Sequence, residues 1–176
     1  MGKAELVLSL QQPDGRHREV VTRTRVRRWV QAALERDAEL TLRVVGDEEA
    51  LALNRDFRGK AYATNVLTFD YAREPRVVAD IVLCAEVVER EAIEQRKPLV
   101  DHYAHLVVHG VLHAQGFDHE RAADARRMEA REVERAVEHG ERPTAGRQPR
   151  VGLDVPHQRF GRCHRRLERQ VVGLHG

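Results

Sequence analysis

Residues 105–120 read His-Leu-Val-Val-His-Gly-Val-Leu-His-Ala-Gln-Gly-Phe-Asp-His-Glu, which spaces His109, His113 and His119 as H-x3-H-x5-H. Residues four apart on an α-helix share one face, so His109 and His113 can point two imidazoles at a single ion. Gly116 lets the chain leave the helix through a left-handed turn, and the return brings His119 back over the same face. Three protein ligands leave one tetrahedral position for water, the arrangement of a catalytic rather than a structural zinc.

Working outward, Pro98 marks the entry to the histidine-bearing helix, which spans 99–115. His102, His105, His109, His113 and Gly116 fall in one narrow sector of its wheel, and most of the remaining circumference is Leu, Val and Tyr. A helix apolar nearly all round is buried, so this one runs through the middle of the domain with its polar stripe facing a cleft. His102 and His105 read as cleft-lining residues. Asp118 can orient an imidazole or cap the following helix.

Alternation predicts strands around Leu6–Leu10, over 39–45, over Asn65–Asp70 and over Asp80–Cys84, the last two separated by a polar turn holding Pro75. Helical spacing predicts amphipathic helices over 20–36, 86–96 and 120–138, and a short helix from an Asp47 N-cap through Asn54. Asp56–Lys60 reads as a basic loop. The expected fold is α+β: a small mixed β-sheet of about four strands packed with about five helices, the central one buried. Residues 1–140 form the domain and 141–176 a basic tail without sustained periodicity, expected to be disordered.

The 176 residues are 41% hydrophobic and 33% charged, enough for one folded core and without an apolar run able to span a bilayer. Cys84 and Cys163 form no paired motif, and the N-terminus lacks a signal-peptide pattern. The expectation is a cytoplasmic protein with no membrane association. The tail holds eight Arg against three acids, a net of +5, which leaves −3 for the rest of a chain whose total is +2. The body is therefore not a generally basic nucleic-acid binder, and any RNA affinity must come from a local patch or from the tail.

The histidine spacing resembles the metzincin signature H-E-x-x-H-x-x-G-x-x-H, but Gly110 stands where those proteases place the glutamate that moves the proton from water to the leaving amine. Glycine cannot do this, and the protease reading fails. With glycine there, His109–His119 is similar to the H-G-x-L-H-x-x-G-Y/F-D-H signature of the YbeY family, bacterial endoribonucleases that act in ribosomal RNA maturation. The likeness extends to Leu53-Asn54 with Phe57-Arg58, to Thr64-Asn65-Val66-Leu67-Thr68-Phe69, to the Asp80-Ile81-Val82-Leu83 strand and to Met128-Glu129 with Glu132. These cover 40–139 in matching order. Asn65 stands where the family usually has Asp, Ala79 where it has Gly, and Ala114-Gln115 replaces a more typical Leu-x.

The resemblance carries the metal ligands onto His109, His113 and His119, holding one zinc ion (Zn2+) or another transition metal. It implies Arg58 as the catalytic cation; Lys60 and Arg55, cations of the same segment, are expected to help hold the substrate. Phosphodiester cleavage builds charge on the non-bridging oxygens, which suits a guanidinium fork and a Lewis-acidic metal. The implied function is a single-strand-specific endoribonuclease of small-subunit ribosomal RNA 3′-end maturation and of ribosome biogenesis and quality control. Its implied partners are single-stranded RNA and the small ribosomal subunit with its proteins. Aromatics make up 5% of the chain, too few for a base-stacking platform, so the RNA is expected to be held through its phosphates. A non-catalytic metal-binding assembly factor and a metallohydrolase of another ester are the alternatives.

Overall fold

A computed structural model describes residues 3–117. Within them lie four strands and four helices: β1 Leu6–Gln11, α1 Arg23–Ala33, β2 Ala38–Val45, α2 Asp47–Arg58, β3 Val66–Ala72, β4 Val77–Cys84, α3 Ala85–Glu94 and α4 Leu99–Ala114. The helix expected over 120–138, the tail, Cys163, Asp118 and His119 lie outside the described residues.

The sheet order is β1-β2-β4-β3. β1 and β4 both run parallel to β2, while β3 pairs antiparallel with β4. This is the mixed sheet the alternation implied, and its helices on both faces make the fold α+β. The two central strands show why. Val44-Val45 and Leu83-Cys84 are buried on both sides of the pleat, as strands covered on both faces must be.

One face carries the larger core, where Leu40, Leu42, Ile81 and Leu83 meet α1 and α4. The other face carries a smaller core of Val45, Leu67, Phe69 and Val82 under Ala50, Leu53 and Phe57 of α2. Helix α4 is the element the composition of its wheel foretold: Tyr103, Leu106, Val107, Val111 and Leu112 are all buried. It packs against α1, α3, β3 and β4.

Two local readings are corrected. Gly46, not Asp47, is the N-cap of α2, and Asp47 occupies the first helical position with Glu48 and Glu49 beside it, where acids favour the positive end of the helix dipole. The segment read as a basic loop is helical through Arg58. Phe57 packs edge-to-face on Phe69 with ring centroids 5.4 Å apart, and that tertiary contact holds the last turn in place. Gly59, at φ +66, then ends the helix.

Candidate functional site

Helix α4 projects its histidines in a row. The His109 and His113 rings have centroids 4.5 Å apart at 66°, and Nε2 of each is inaccessible to solvent. Rings this close can reach one ion with bonds of about 2.0–2.1 Å. The turn needed to bring a third ligand back is also in place. Gly116 has φ +97, its N–H donates to His113 O at 2.9 Å, and Phe117 N–H donates to Leu112 O at 3.1 Å, the paired bonds of a glycine-terminated helix. Two of the three expected ligands are thus brought together; the third, His119, lies beyond the described residues. Two imidazoles on a part-buried stripe form a donor set suited to zinc or another borderline transition metal.

The floor of this stripe explains the glycine that excluded the protease reading. A Cβ at position 110 would lie 2.9 Å from Ile81 Cγ2 and 3.4 Å from Thr68 Oγ1. Helix α4 lies too close to β3 and β4 there for any side chain, so no carboxylate can stand between the two histidines.

Arg58 sits half-buried in the last turn of α2. Alternation along β3 puts Thr68 under α4 and Phe69 under Phe57, so α4 and the end of α2 flank this outer strand from opposite faces. The loop after α2 is pinned by Asn54, buried, whose Nδ2 donates to Tyr62 O at 2.6 Å. Lys60 Nζ lies 6.0 Å from the Tyr62 ring centroid. Arg55 is exposed and pairs with its neighbour Asp56 at 3.4 Å.

The structure reveals a buried network that sequence reasoning missed. His102 Nε2 lies 2.8 Å from Glu91 Oε2, and Asn65 Nδ2 donates to both Glu91 oxygens at 3.0 and 3.2 Å. Asn65 Oδ1 meanwhile accepts from Val66 N–H at 2.7 Å. Asn65 therefore does not leave a gap where a carboxylate belongs. It supplies the N–H donor that the Glu91 carboxylate needs, which an aspartate could not. His102 in turn lies nearly parallel to His105, at 7° with centroids 6.5 Å apart, and His105 leads on to His109 at 6.3 Å. The signal was a polar residue at the start of an apolar strand, but its partners on α3 and α4 are distant in sequence.

Burial works to raise the Glu91 pKa, yet the hydrogen bonds from His102 and Asn65 overcome it and hold the carboxyl below its ordinary 4.5. The folded protein thus binds this proton less readily than the unfolded chain. Its stabilisation is complete above pH 4.5 and is lost as pH falls through the lower folded value. Glu91→Gln should cost about 1.5–3 kcal/mol at pH 7, the range for hydrogen bonds to a charged group. Thermal unfolding of both proteins from pH 7 to 3 checks this, because the gap between them should close on the acid side.

Among the described residues a second set of donors converges: one ligand atom each of Asp47, Cys84 and Glu86, all within 4.8 Å of one another. Burial, the largest effect, pushes the Cys84 thiol up to about 12, and it donates to Asp47 Oδ1 at 3.1 Å. A thiol held protonated is a poor metal ligand, so the imidazole pair is the better metal site. Cys84 is a buried free thiol, as its place in an apolar strand suggested.

Comparison with known proteins bears on the same residues. The family model described as Endoribonuclease YbeY matches residues 12–139. A protein of Methylibium petroleiphilum named Endoribonuclease YbeY is 61% identical over 129 residues, 73% of this chain and 87% of that one. A protein of the same name from Polaromonas naphthalenivorans is 57% identical over 139 residues, 76% of this chain and 92% of that one. A solution structure of a Thermotoga maritima protein matches with a TM-score of 0.54 at 24% identity, covering 81% of this chain and all of that one; it supports the fold.

Proposed function

Because the chain belongs to the YbeY family of endoribonucleases, we propose that it is a metal-dependent, single-strand-specific endoribonuclease of ribosomal RNA. Its place would be 3′-end maturation of the small-subunit RNA, with roles in ribosome biogenesis and quality control in the cytoplasm. No helix among the described residues is long and apolar enough to cross a membrane. The observation that supports the metal reading is the close pairing of His109 and His113 on one helix face, with the Nε2 of each inaccessible to solvent.

His109, His113 and His119 would hold one zinc ion, which when bound supplies Lewis acidity towards phosphate oxygens. Arg58 is the catalytic cation. Its forked N–H donors bind the non-bridging oxygens as negative charge grows on them. Phe57 on Phe69 and the Gly59 cap fix where that guanidinium starts, so less of its freedom is lost on binding. Lys60, on the loop held by Asn54, contacts the strand as a point charge. Gly110 offers no proton acceptor, so whether the RNA 2′-hydroxyl or a water attacks the phosphorus, the proton it loses must pass to solvent or to another side chain.

Protein purified without an affinity tag should cleave single-stranded RNA, lose the activity to a chelator and regain it with zinc. Arg58→Ala should lower kcat about 10²-fold, the usual loss of one donor to a developing oxyanion, and Arg58→Lys should recover part of it. Cleavage indifferent to Arg58 and to chelator would mark a contaminant and favour a non-catalytic assembly factor. Preference for a small phosphodiester or other ester over RNA would favour the alternative metallohydrolase.

A further inference from the structure

Between Arg16 and Arg28 the sequence holds six arginines against the single acid Glu19. Four of them, Arg23, Arg25, Arg27 and Arg28, lie on α1, whose first turn contains no acid. The opposite face of this helix, with Val26, Trp29, Val30 and Ala33, is buried in the larger core. The charges are unfavourable for the helix itself. Arg23 and Arg25 stand at the positive end of its dipole, and Arg23 and Arg27 are like charges four residues apart.

Part of this has a local explanation. Arg23 Nη2 donates to Leu8 O at 2.8 Å and Arg27 Nη2 to Leu6 O at 3.3 Å. β1 is an outer strand, and Ala38 N–H from β2 takes Glu5 O, so by alternation the Leu6 and Leu8 carbonyls point away from the sheet. The two arginines cover an open edge. Each has five N–H donors and spends one there; both side chains stay exposed, as does Arg28. Arg25 donates to the carbonyls of Glu19 and Val20. None of the four makes an ion pair among the described residues.

We propose that this arginine face of α1 and the β1 edge is a docking surface for the phosphate backbone of base-paired RNA flanking the cleaved strand. The proposal rests on the endoribonuclease reading. Its position argues for a second contact, because β1 is at the opposite margin of the sheet from β3, the strand that α4 and the end of α2 flank. Three strand spacings separate the margins, roughly 14 Å. Its composition argues for phosphates: the one aromatic on α1, Trp29, is buried at 2%, so no ring is offered for stacking, and duplex RNA is recognised by shape and backbone. Residues 1–140 sum to −3, so with +5 held between Arg16 and Arg28 the other residues of 1–140 sum to −8, and a concentrated basic face orients an RNA rather than attracting it indiscriminately.

The test compares two substrates of the full-length, metal-loaded protein: a short single-stranded oligonucleotide, and the same segment flanked by a stem-loop. R23Q/R27Q/R28Q should leave kcat and KM on the short substrate unchanged and raise KM on the stem-bearing one about tenfold. In binding assays its log–log salt slope should be shallower by about two to three, at roughly 0.9 per lost phosphate contact. R23K/R27K/R28K should restore the slope. Because two of these arginines also cover the β1 edge, R28E alone, at an exposed site without such a bond, must reproduce part of the slope change. An unchanged slope, or equal losses on both substrates, overturns the proposal and leaves the face to a protein partner or to stability alone. If the wild type fails to cleave even the short oligonucleotide, the endoribonuclease reading fails instead.

Discussion

His113→Ala should lose its bound metal and, with it, RNA cleavage by on the order of 10³-fold. A Lewis-acidic ion at a scissile phosphate is worth several kcal/mol, and each 1.36 kcal/mol is tenfold in rate, so about 4 kcal/mol sets that scale. The prediction is specific because His113 lies in a row of similar residues. His102 shares the same helix face, but its Nε2 is committed to Glu91 at 2.8 Å, so His102→Gln should keep the metal. Elemental analysis of tag-free protein decides between them. Wild type and His102→Gln should carry close to one ion per chain, and His113→Ala and His109→Ala far less. Full metal content in His113→Ala would remove it from the ligand set, whereas equal loss in all three variants would mean that the stripe holds the ion only through the integrity of the helix. Unfolding monitored with and without chelator separates these cases, because a ligand variant should lose the chelator-sensitive part of its stability.

Much of this site was legible from residues close together in the chain. The 3.6-residue period placed His109 and His113 on one face, the apolar remainder of the wheel buried the helix, and Gly116 announced the left-handed exit observed at φ +97. All three are local signals. The misreadings share the opposite cause. Asp-Phe-Arg-Gly-Lys looked like a loop because it is charged and contains glycine. Its helical state depends on Phe57 meeting Phe69, twelve residues away and on another element. Asn65 read as a missing carboxylate because its partner Glu91 is 26 residues on. Strand order is likewise invisible to alternation, which gives four strands but not that β4 lies between β2 and β3. The arginines of α1 were visible as one side of an amphipathic helix, but their grip on the β1 carbonyls required the fold.

Gly110→Glu, which would recreate the protease glutamate, should destabilise the protein by more than about 3 kcal/mol and yield no hydrolase. Even a methyl group has no room, since a Cβ there would meet Ile81 Cγ2 at 2.9 Å and Cδ1 at 3.3 Å. Gly110→Ala therefore separates two opposing effects. Alanine gains about 1 kcal/mol of helix propensity over glycine, while overpacking a filled core costs typically about 1–3 kcal/mol. The net should be a loss of up to about 2 kcal/mol. Glutamate adds the burial of a charge without a partner, which is why its effect is larger. Ile81→Ala isolates the steric part, because it removes the atoms that clash. Combined with Gly110→Ala it should cost less than the sum of the single variants, a coupling of about 1 kcal/mol or more in denaturant unfolding. Strict additivity would show that the contact does not set the spacing of α4 from the sheet. The functional consequence follows from position, since His109 is the next residue. A helix pushed off β4 at residue 110 carries its first metal ligand with it, so Gly110→Ala should bind metal more weakly even where it remains folded. The same close approach that denies this chain a glutamate base holds its imidazole pair in place.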